Sequence, residues 1–268
     1  MEWAPDLTKY PKFLHAKIRR GKGCGVGEAY RPWYTTREIG SQGTCDNPSS
    51  ILNGRIYELL SDYEALYFYL LERQPHVLDI REQFPILQLE ATFPLAAKFG
   101  IEHKQAGRRR KWPEPYTIDF LITERVNGIP QIRAASIKPP DIAFDDRTLS
   151  KLKIEHAWCE QNGIPWELVD MSGLDHLVAL AVLRFVRKWY QNHFDPGSIP
   201  ADIVARHFLH LYRRNVLLSE LVDRLASRLR LRRTEAEDAF RFAAWRGLIK
   251  VSLRHEIALN RPLVLNAV

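Results

Sequence analysis

Two consecutive apolar segments carry an acidic and a basic side chain in a spacing that could bring them together. The first segment, residues 116–123 (YTIDFLIT), contains Asp119, and the second ends at Lys138, just before two prolines. Asn127-Gly128 lies between them and is the strongest short signal for a two-residue β-hairpin turn. A turn centred there places Asp119 opposite Ser136, with Lys138 two residues further along the same face of the sheet. The sequence therefore predicts a carboxylate and an ammonium group on one patch.

These two groups suit the hydrolysis of a phosphodiester. A carboxylate can hold a divalent metal, and a bound metal polarises a phosphate and activates water. The ammonium group can position that water and offset the charge that develops. An aspartate among Tyr, Ile, Phe and Leu also disfavours a strand and needs a partner when buried, whereas Lys138 at a strand end could simply extend into solvent. Nuclease chemistry is the leading interpretation of the pair Asp119 and Lys138.

Three further residues are candidates for the same site, and each has a simple alternative explanation. Glu64 follows Ser61 by three residues, the spacing of a helix capping box, which accounts for it without a metal. Glu155 lies four residues after Lys151 on a predicted helix, where an exposed ion pair is the alternative. Ser136 is also what a strand would accept as a small residue beside bulky neighbours.

The segments around these residues predict a mixed sheet flanked by helices, an α/β arrangement. Apolar periodicity and turn residues give the following order: a helix over 61–73, a strand within the segment 76–87 that is ended by Pro85, the hairpin, a helix over 145–163 and a strand over 164–170. The residues between the first strand and Trp112 are mixed in character.

The last hundred residues have a different, helical character. Helical patterns run over 174–191, 201–213, 218–229 and 234–246, and residues 248–260 could supply a short strand pair. Three helices followed by a hairpin predict a winged-helix-like domain, a fold that binds DNA or other proteins without deciding between them. We therefore expect three parts: an N-terminal arm over residues 1–55, a catalytic domain over 56–170 and the C-terminal domain over 171–268.

The positive charge is concentrated in the last third. The net charge is +7, yet residues 1–170 contain 23 Lys+Arg against 23 Asp+Glu, whereas residues 171–268 contain 16 against 9. A basic module beside a neutral one suits a polyanionic partner, although arginine-rich helices are often only solvated faces. A separate basic run comes just before the Asp119 strand and is either a DNA contact or a solvated loop: Arg108, Arg109, Arg110 and Lys111.

Composition also indicates the compartment. Cys24, Cys45 and Cys159 are too few and too scattered for a disulfide framework and show no zinc-ligand spacing with histidine. No apolar run approaches the roughly 18 residues of a membrane span, and the N-terminal residues lack the apolar region of a signal peptide. We expect a cytoplasmic protein, in a bacterium acting at the nucleoid, with reduced thiols and no structural zinc.

Several segments between residues 13 and 170 resemble the TnsA family, the endonuclease subunits of heteromeric cut-and-paste transposases. They are GKGCGVGEAYRPW, LLSDYEALYFYLL, VLDIREQFPIL, IDFLI, IKPP and DDRTLSKLKIE. The resemblance implies a core like that of type II restriction endonucleases, the PD-(D/E)xK fold. The last hundred residues are similar mainly in predicted architecture.

The resemblance also implies roles for individual residues. It makes Glu64 and Asp119 the metal-holding acids, Lys138 the lysine of the site and Glu155 a further acid. Mg²⁺ is the implied metal, with Mn²⁺ able to substitute. The family pattern before the lysine is Gln-x-Lys or, in restriction enzymes, Glu-x-Lys, whereas this chain has Ser136. A serine hydroxyl is a shorter and weaker ligand, and the backbone carbonyl of Ile137 is still available.

The implied activity is Mg²⁺-dependent hydrolysis of DNA at the 5′ ends of a transposon. A TnsB-type transposase would act on the 3′ ends, and a TnsC-type AAA+ regulator would dock on the C-terminal region. Two alternatives remain at this point. One is a free-standing restriction or junction-resolving nuclease, which would cleave without partners. The other is an assembly subunit, weakened in catalysis by Ser136, that links transposase, regulator and DNA.

Overall fold

The structure is a computed structural model of the 268-residue chain and describes residues 7–38, 47–107, 111–140 and 145–266. The chain divides into two compact units. Unit 1 comprises Met1–Phe68 and Pro75–Ser172, and unit 2 comprises Tyr69–Gln74 and Gly173–Val268. In the part of the chain that the structure describes, no helix combines the length and apolar character needed to cross a membrane.

Unit 1 is built on a four-stranded mixed sheet. Its strands are β1 (Val77–Pro85), β4 (Thr117–Val126), β5 (Ile129–Ile137) and β6 (Trp166–Val169), in the spatial order β1-β4-β5-β6. The first two pairings are antiparallel and the last, between β5 and β6, is parallel. A separate two-stranded ladder joins β2 (Gln105–Ala106) to β3 (Trp112–Pro113). The mixed sheet confirms the predicted α/β class.

Within the described residues, four α-helices belong wholly or partly to this unit: α1 (His15–Arg19), α2 (Asp62–Glu72), α3 (Leu89–Lys98) and α4 (Asp146–Gln161). Helix α2 contacts the sheet through Tyr67, whose ring lies 5.8 Å from that of Phe120. Helix α4 contacts it through the buried Trp158, whose ring lies 6.5 Å from that of Phe84. These aromatic contacts fix the helices that carry candidate residues against the strands that carry the others.

The hairpin between β4 and β5 forms in the predicted register. Phe120 pairs with Ala135 and Val126 with Ile129. Asn127 and Gly128 have φ values of 51° and 83°, the left-handed pair that a type I′ turn requires. This register confirms the sequence-based expectation and places Asp119 near the end of β5.

The N-terminal residues do not form the separate arm that was predicted over residues 1–55. Over their described ranges they pack within unit 1, where Tyr30 and Trp33 are buried. The Tyr30 hydroxyl donates to the Glu82 carbonyl at 2.9 Å, and Trp33 Nε1 donates to Glu114 Oε1 at 2.9 Å. Large aromatic side chains favour burial with their polar atoms paired, which outweighs the flexibility of the neighbouring glycines.

Two local features were not predicted from the sequence. Helix α3 lies in the stretch of mixed character and contains Pro94, a residue that normally argues against a helix. In β1, Gln83 has a φ of 47°, a left-handed conformation within a strand. Cys24 and Cys159 are free and buried, whereas Cys45 lies outside the described residues.

Unit 2 is helical. Its helices are α5 (His176–Gln191), α6 (Ala201–Leu211), α7 (Leu218–Leu229) and α8 (Arg233–Trp245), close to the predicted ranges. Aromatic pairs fill its interior, with ring separations of 4.6 Å for Phe208 and Phe240 and 4.7 Å for Trp189 and Phe242. Residues 69–74 join this unit, where Glu72 accepts from Arg187 Nε at 2.6 Å.

The strand pair predicted over residues 248–260 does not form. Within the described residues of unit 2 there are only isolated bridges, Val251 with Leu265 and Leu217 with Pro262. The backbone around residue 251 instead bonds further along the chain, since Ser252 N donates to the Val264 carbonyl at 3.0 Å. The partner was missed because no turn dipeptide marks it. The winged-helix assignment is therefore not confirmed.

Candidate active site

A cavity of about 840 Å³ in unit 1 is lined by both candidate acids, Glu64 and Asp119. Gln83, Lys104 and Lys151 also line it. Helix α2 supplies Glu64 from its first turn, strand β4 supplies Asp119, and helix α4 supplies Lys151. The two acids therefore point into one space.

Asp119 is buried, 4% exposed, and both its carboxylate oxygens are occupied. Oδ2 accepts from the backbone N–H of Ile137 at 2.8 Å and from Lys138 Nζ at 2.9 Å. Oδ1 accepts from Lys151 Nζ at 3.2 Å. Burial opposes the charged form, but the two ammonium groups and the N–H outweigh it and hold the pKa of Asp119 well below its ordinary value. Asp119 is thus an anion at neutral pH.

Glu64 combines the capping role with a place in the cavity. The Ser61 hydroxyl accepts from the Glu64 N–H at 3.2 Å, as the capping spacing predicted. The Glu64 carboxylate, however, accepts from Leu60 N at 3.0 Å and from Gln83 Nε2 at 3.3 Å. Burial, followed by the repulsion of Asp119, raises the pKa of Glu64 to about 7. The capping explanation is therefore incomplete, because it does not account for the interaction with Asp119.

Lys138 lies at the end of β5 with its ammonium group directed inward. Nζ donates to Asp119 Oδ2 at 2.9 Å and to the Ile137 carbonyl at 2.8 Å. The side chain is 20% exposed. The alternative of a lysine that simply extends into solvent does not describe this geometry.

Ser136 and Glu155 form a second, fully buried pair beside Asp119. The Ser136 hydroxyl donates to Glu155 Oε2 at 2.6 Å and accepts from Trp166 Nε1 at 3.1 Å. Burial, partly offset by Lys151, raises the pKa of Glu155. The alternative of an exposed Glu155 does not describe the structure, because α4 turns this side chain toward the sheet, where it is 0% exposed. Its ion pair with Lys151 is nevertheless present, at 3.2 Å.

Three residues of the cavity were missed by sequence reasoning as members of the site. Lys151 was named only as the surface partner of Glu155, but its ammonium group also reaches Asp119. Gln83 enters through its left-handed backbone, for which the sequence gives no signal. Lys104 donates to the Tyr34 hydroxyl at 2.8 Å, and burial lowers its pKa to about 8. A lysine spaced four before Glu155 was the only available clue.

Most of the predicted DNA-contacting run lies outside the residues that the structure describes. Arg108, Arg109 and Arg110 lie outside the described residues. Lys111 is described and exposed, immediately before β3. Its role stays a prediction.

The oxygen donors of the cavity fit a hard divalent cation. They are the carboxylates of Glu64 and Asp119, oxygen ligands that Mg²⁺ and Mn²⁺ prefer. The Ile137 carbonyl, at the end of β5 beside Asp119, accepts from Lys138 Nζ at 2.8 Å. The raised pKa of Glu64 comes first from burial and then from the repulsion of Asp119, a repulsion that a cation bound by both carboxylates would relieve. Across the described ranges, no cluster of three or more His, Cys, Asp or Glu side chains is arranged to hold a metal. The set is therefore small and would leave positions for water or phosphate.

Comparison with known proteins defines the class of this domain. Residues 74–171 match the family model described as TnsA-like endonuclease N terminal. The matched range includes Asp119, Lys138 and Glu155 and begins after Glu64. This part of the chain is therefore similar to the N-terminal domain of TnsA-like endonucleases.

A curated relative extends the match. Over 150 residues the chain is 38% identical to the Transposon Tn7 transposition protein TnsA of Escherichia coli, covering 56% of this chain and 53% of the relative. The chain thus spans about half the length of that relative. The two comparisons agree that this chain is similar to TnsA over about half of its length.

Proposed function

We propose that this protein is a transposon-end endonuclease that hydrolyses DNA phosphodiester bonds at the 5′ ends of a transposon with Mg²⁺, for which Mn²⁺ can substitute. The kinship with TnsA supports a role in transposition. One observation carries the chemistry: Glu64 and Asp119 line one cavity, and Lys138 Nζ lies 2.9 Å from Asp119.

The proposal gives each residue a distinct task. Glu64 and Asp119, with the Ile137 carbonyl, would hold Mg²⁺. When bound, the metal polarises the scissile phosphate and lowers the pKa of the attacking water. Lys138 is fixed by Asp119 and the Ile137 carbonyl, so its ammonium group orients the water and offsets developing negative charge. Preorganised charges of this kind are effective because they need no rearrangement during the reaction.

The partners follow from the proposed role. DNA is the substrate, and its phosphates would meet the cations of the cavity and the basic run Arg108 to Lys111. A TnsB-type transposase would supply most of the sequence recognition and act on the 3′ ends. A TnsC-type AAA+ regulator would dock on the C-terminal domain, residues 171–268, which carries the whole positive excess.

Substitution in a reconstituted excision reaction tests the site. Purified protein is combined with the two partners and end-labelled transposon DNA, and cleavage of each strand is measured. Asp119→Ala and Lys138→Ala are each expected to lower 5′-end cleavage at least a hundredfold while 3′-end cleavage continues. Glu160→Ala and Lys153→Ala, exposed residues of α4, serve as matched controls. Cleavage at the wild-type rate in both site variants would remove the proposed site.

A second function is favoured by one observation. The Ser136 hydroxyl, which stands where the family has a longer ligand, is engaged by Glu155 and Trp166 and offers no free oxygen to a metal. This favours an assembly subunit, weakened in catalysis, that links transposase, regulator and DNA. Its signature in the same reaction would be complex formation by the wild type with no 5′-end nicking.

A further inference from the structure

The ammonium group of Lys151 lies between two buried carboxylates. Its Nζ is 3.2 Å from Asp119 Oδ1 and 3.2 Å from Glu155 Oε1, and its side chain is 27% exposed. Resting on the endonuclease function proposed above, we propose that Lys151 takes the place of a second divalent cation, so that this site binds one metal ion rather than two.

The ligands on the Lys151 side of Asp119 are already used. Ser136 donates its hydroxyl to Glu155 Oε2 at 2.6 Å, and the other oxygen of Glu155 faces Lys151. Two-metal sites hold their ions about 3.5 to 4 Å apart, commonly around a shared carboxylate. A second ion beside Asp119 Oδ1 would therefore fall where the ammonium group lies and would have to displace it from both carboxylates. Lys151 lines the cavity together with Glu64 and Asp119, so the single ion would bind these two acids beside the ammonium group.

Metal stoichiometry tests the proposal without any measurement of cleavage. The full-length protein is titrated with Mn²⁺ and the bound ions are counted by calorimetry, with electron paramagnetic resonance to detect a coupled pair. Wild type is expected to bind one ion, and Lys151→Met is expected to bind two, with the coupled signal. Lys153→Met, an exposed lysine on the same helix, is the matched control and is expected to bind one.

The conservative variant separates charge from packing. Lys151→Arg keeps the cation and is expected to bind one ion. Thermal unfolding of each variant establishes that it is folded at the temperature of the titration. If Lys151→Met does not fold, a folded Lys151→Gln takes its place with the same expectation.

The outcomes distinguish this inference from the proposed function. Two ions on the wild type, or one ion on both wild type and folded Lys151→Met, would overturn the role of Lys151 and leave the nuclease intact. No Mn²⁺ on the wild type, or equal binding by Asp119→Ala, would remove the metal site itself and with it the proposed function. One ion on wild type and two on Lys151→Met would support both.

Discussion

At the scale of single residues, Lys104 illustrates how partial burial alters a charge at the edge of the cavity. Its ammonium group donates to the Tyr34 hydroxyl, which in turn donates to Glu114 Oε1 at 2.9 Å. Burial lowers its pKa to about 8. Lys104 is therefore still charged at pH 7 and adds a cation to the surface that DNA phosphates would approach, but it loses the proton more easily than an exposed lysine.

This shift predicts a pH dependence of stability. Between pH 8 and about 10.4 the unfolded chain keeps a proton that the folded protein has lost. The unfolded state then binds more protons than the folded state. Lys104 therefore makes the free energy of unfolding increase as the pH rises. Lys104→Met should remove about 2 kcal/mol of that gain, allowing for partial exposure. Urea unfolding of the wild type and of Lys104→Met at pH 7.5 and pH 10 measures this increase in the free energy of unfolding.

The control for this comparison is Lys153→Met, which removes an exposed lysine. It should leave the difference between the two pH values unchanged. A Lys104→Met protein with the same pH dependence as the wild type would show that the folded and unfolded states bind the Lys104 proton equally.

At the scale of secondary structure, the left-handed Gln83 is the most unusual element of unit 1. It lies between the pairs Glu82–Phe120 and Phe84–Ile118 and so falls opposite Asp119. A residue with a β-carbon is strained by about 1 kcal/mol or more in this conformation, and such strain tends to occur at functional sites. The strain is accompanied by a contact, because Gln83 Nε2 reaches Glu64.

A pair of substitutions isolates that strain. Gln83→Gly and Gln83→Ala remove the same amide, but only glycine adopts a positive φ freely. Gln83→Gly should therefore be the more stable of the two by about 1 kcal/mol in urea unfolding. The matched pair is Gln131→Gly and Gln131→Ala, an exposed position of β5 at which alanine should be the better residue. If the glycine and alanine variants had the same order of stability at both positions, the backbone of Gln83 would not be strained.

Some elements of unit 1 carry local sequence signals, whereas others depend on tertiary contacts that the sequence does not show. The hairpin, α2 and α4 were predictable because turn residues, caps and apolar spacing are local signals. Helix α3 was hidden by Pro94, and the burial of Glu155 depends on which way α4 faces the sheet. The site was therefore predictable in its acids and its lysine, whereas Lys151 and Gln83 belong to it only through tertiary contacts.

At the scale of the whole molecule, local sequence patterns predicted the helices of unit 2 but not all of its residues. The membership of residues 69–74 was not predicted, since it depends on contacts such as Glu72 with Arg187, 115 residues apart.

The positive charge of residues 171–268 is partly neutralised by ion pairs. Arg232 pairs with Glu235 at 2.6 Å and Arg233 with Asp223 at 2.7 Å.

The exposed residues Arg230, Arg232 and Arg233 define a basic surface. This surface predicts salt-dependent binding of a polyanion. Replacing Arg230, Arg232 and Arg233 together by Gln should weaken DNA or regulator binding about tenfold and reduce its dependence on salt. Neutralisation is preferable to charge reversal, because Asp223 and Glu235 lie close enough to repel a new acid.

Binding is measured by fluorescence anisotropy over a range of salt concentrations. Arg206→Gln, an exposed arginine paired with Asp202 on α6, is the control and should bind as the wild type does. Mn²⁺ binding should be the same in all of these proteins. Normal affinity and salt dependence in the triple variant would rule out this surface as the contact.

The indole of Trp166 limits which side chains position 136 can accept. Its Nε1 lies 3.1 Å from the Ser136 hydroxyl, and Ser136 has no exposed surface. A glutamine introduced at position 136 would extend into volume that the ring and Glu155 already fill. Introducing glutamine at position 136 therefore requires a smaller side chain at position 166 as well, and the two positions must be changed together.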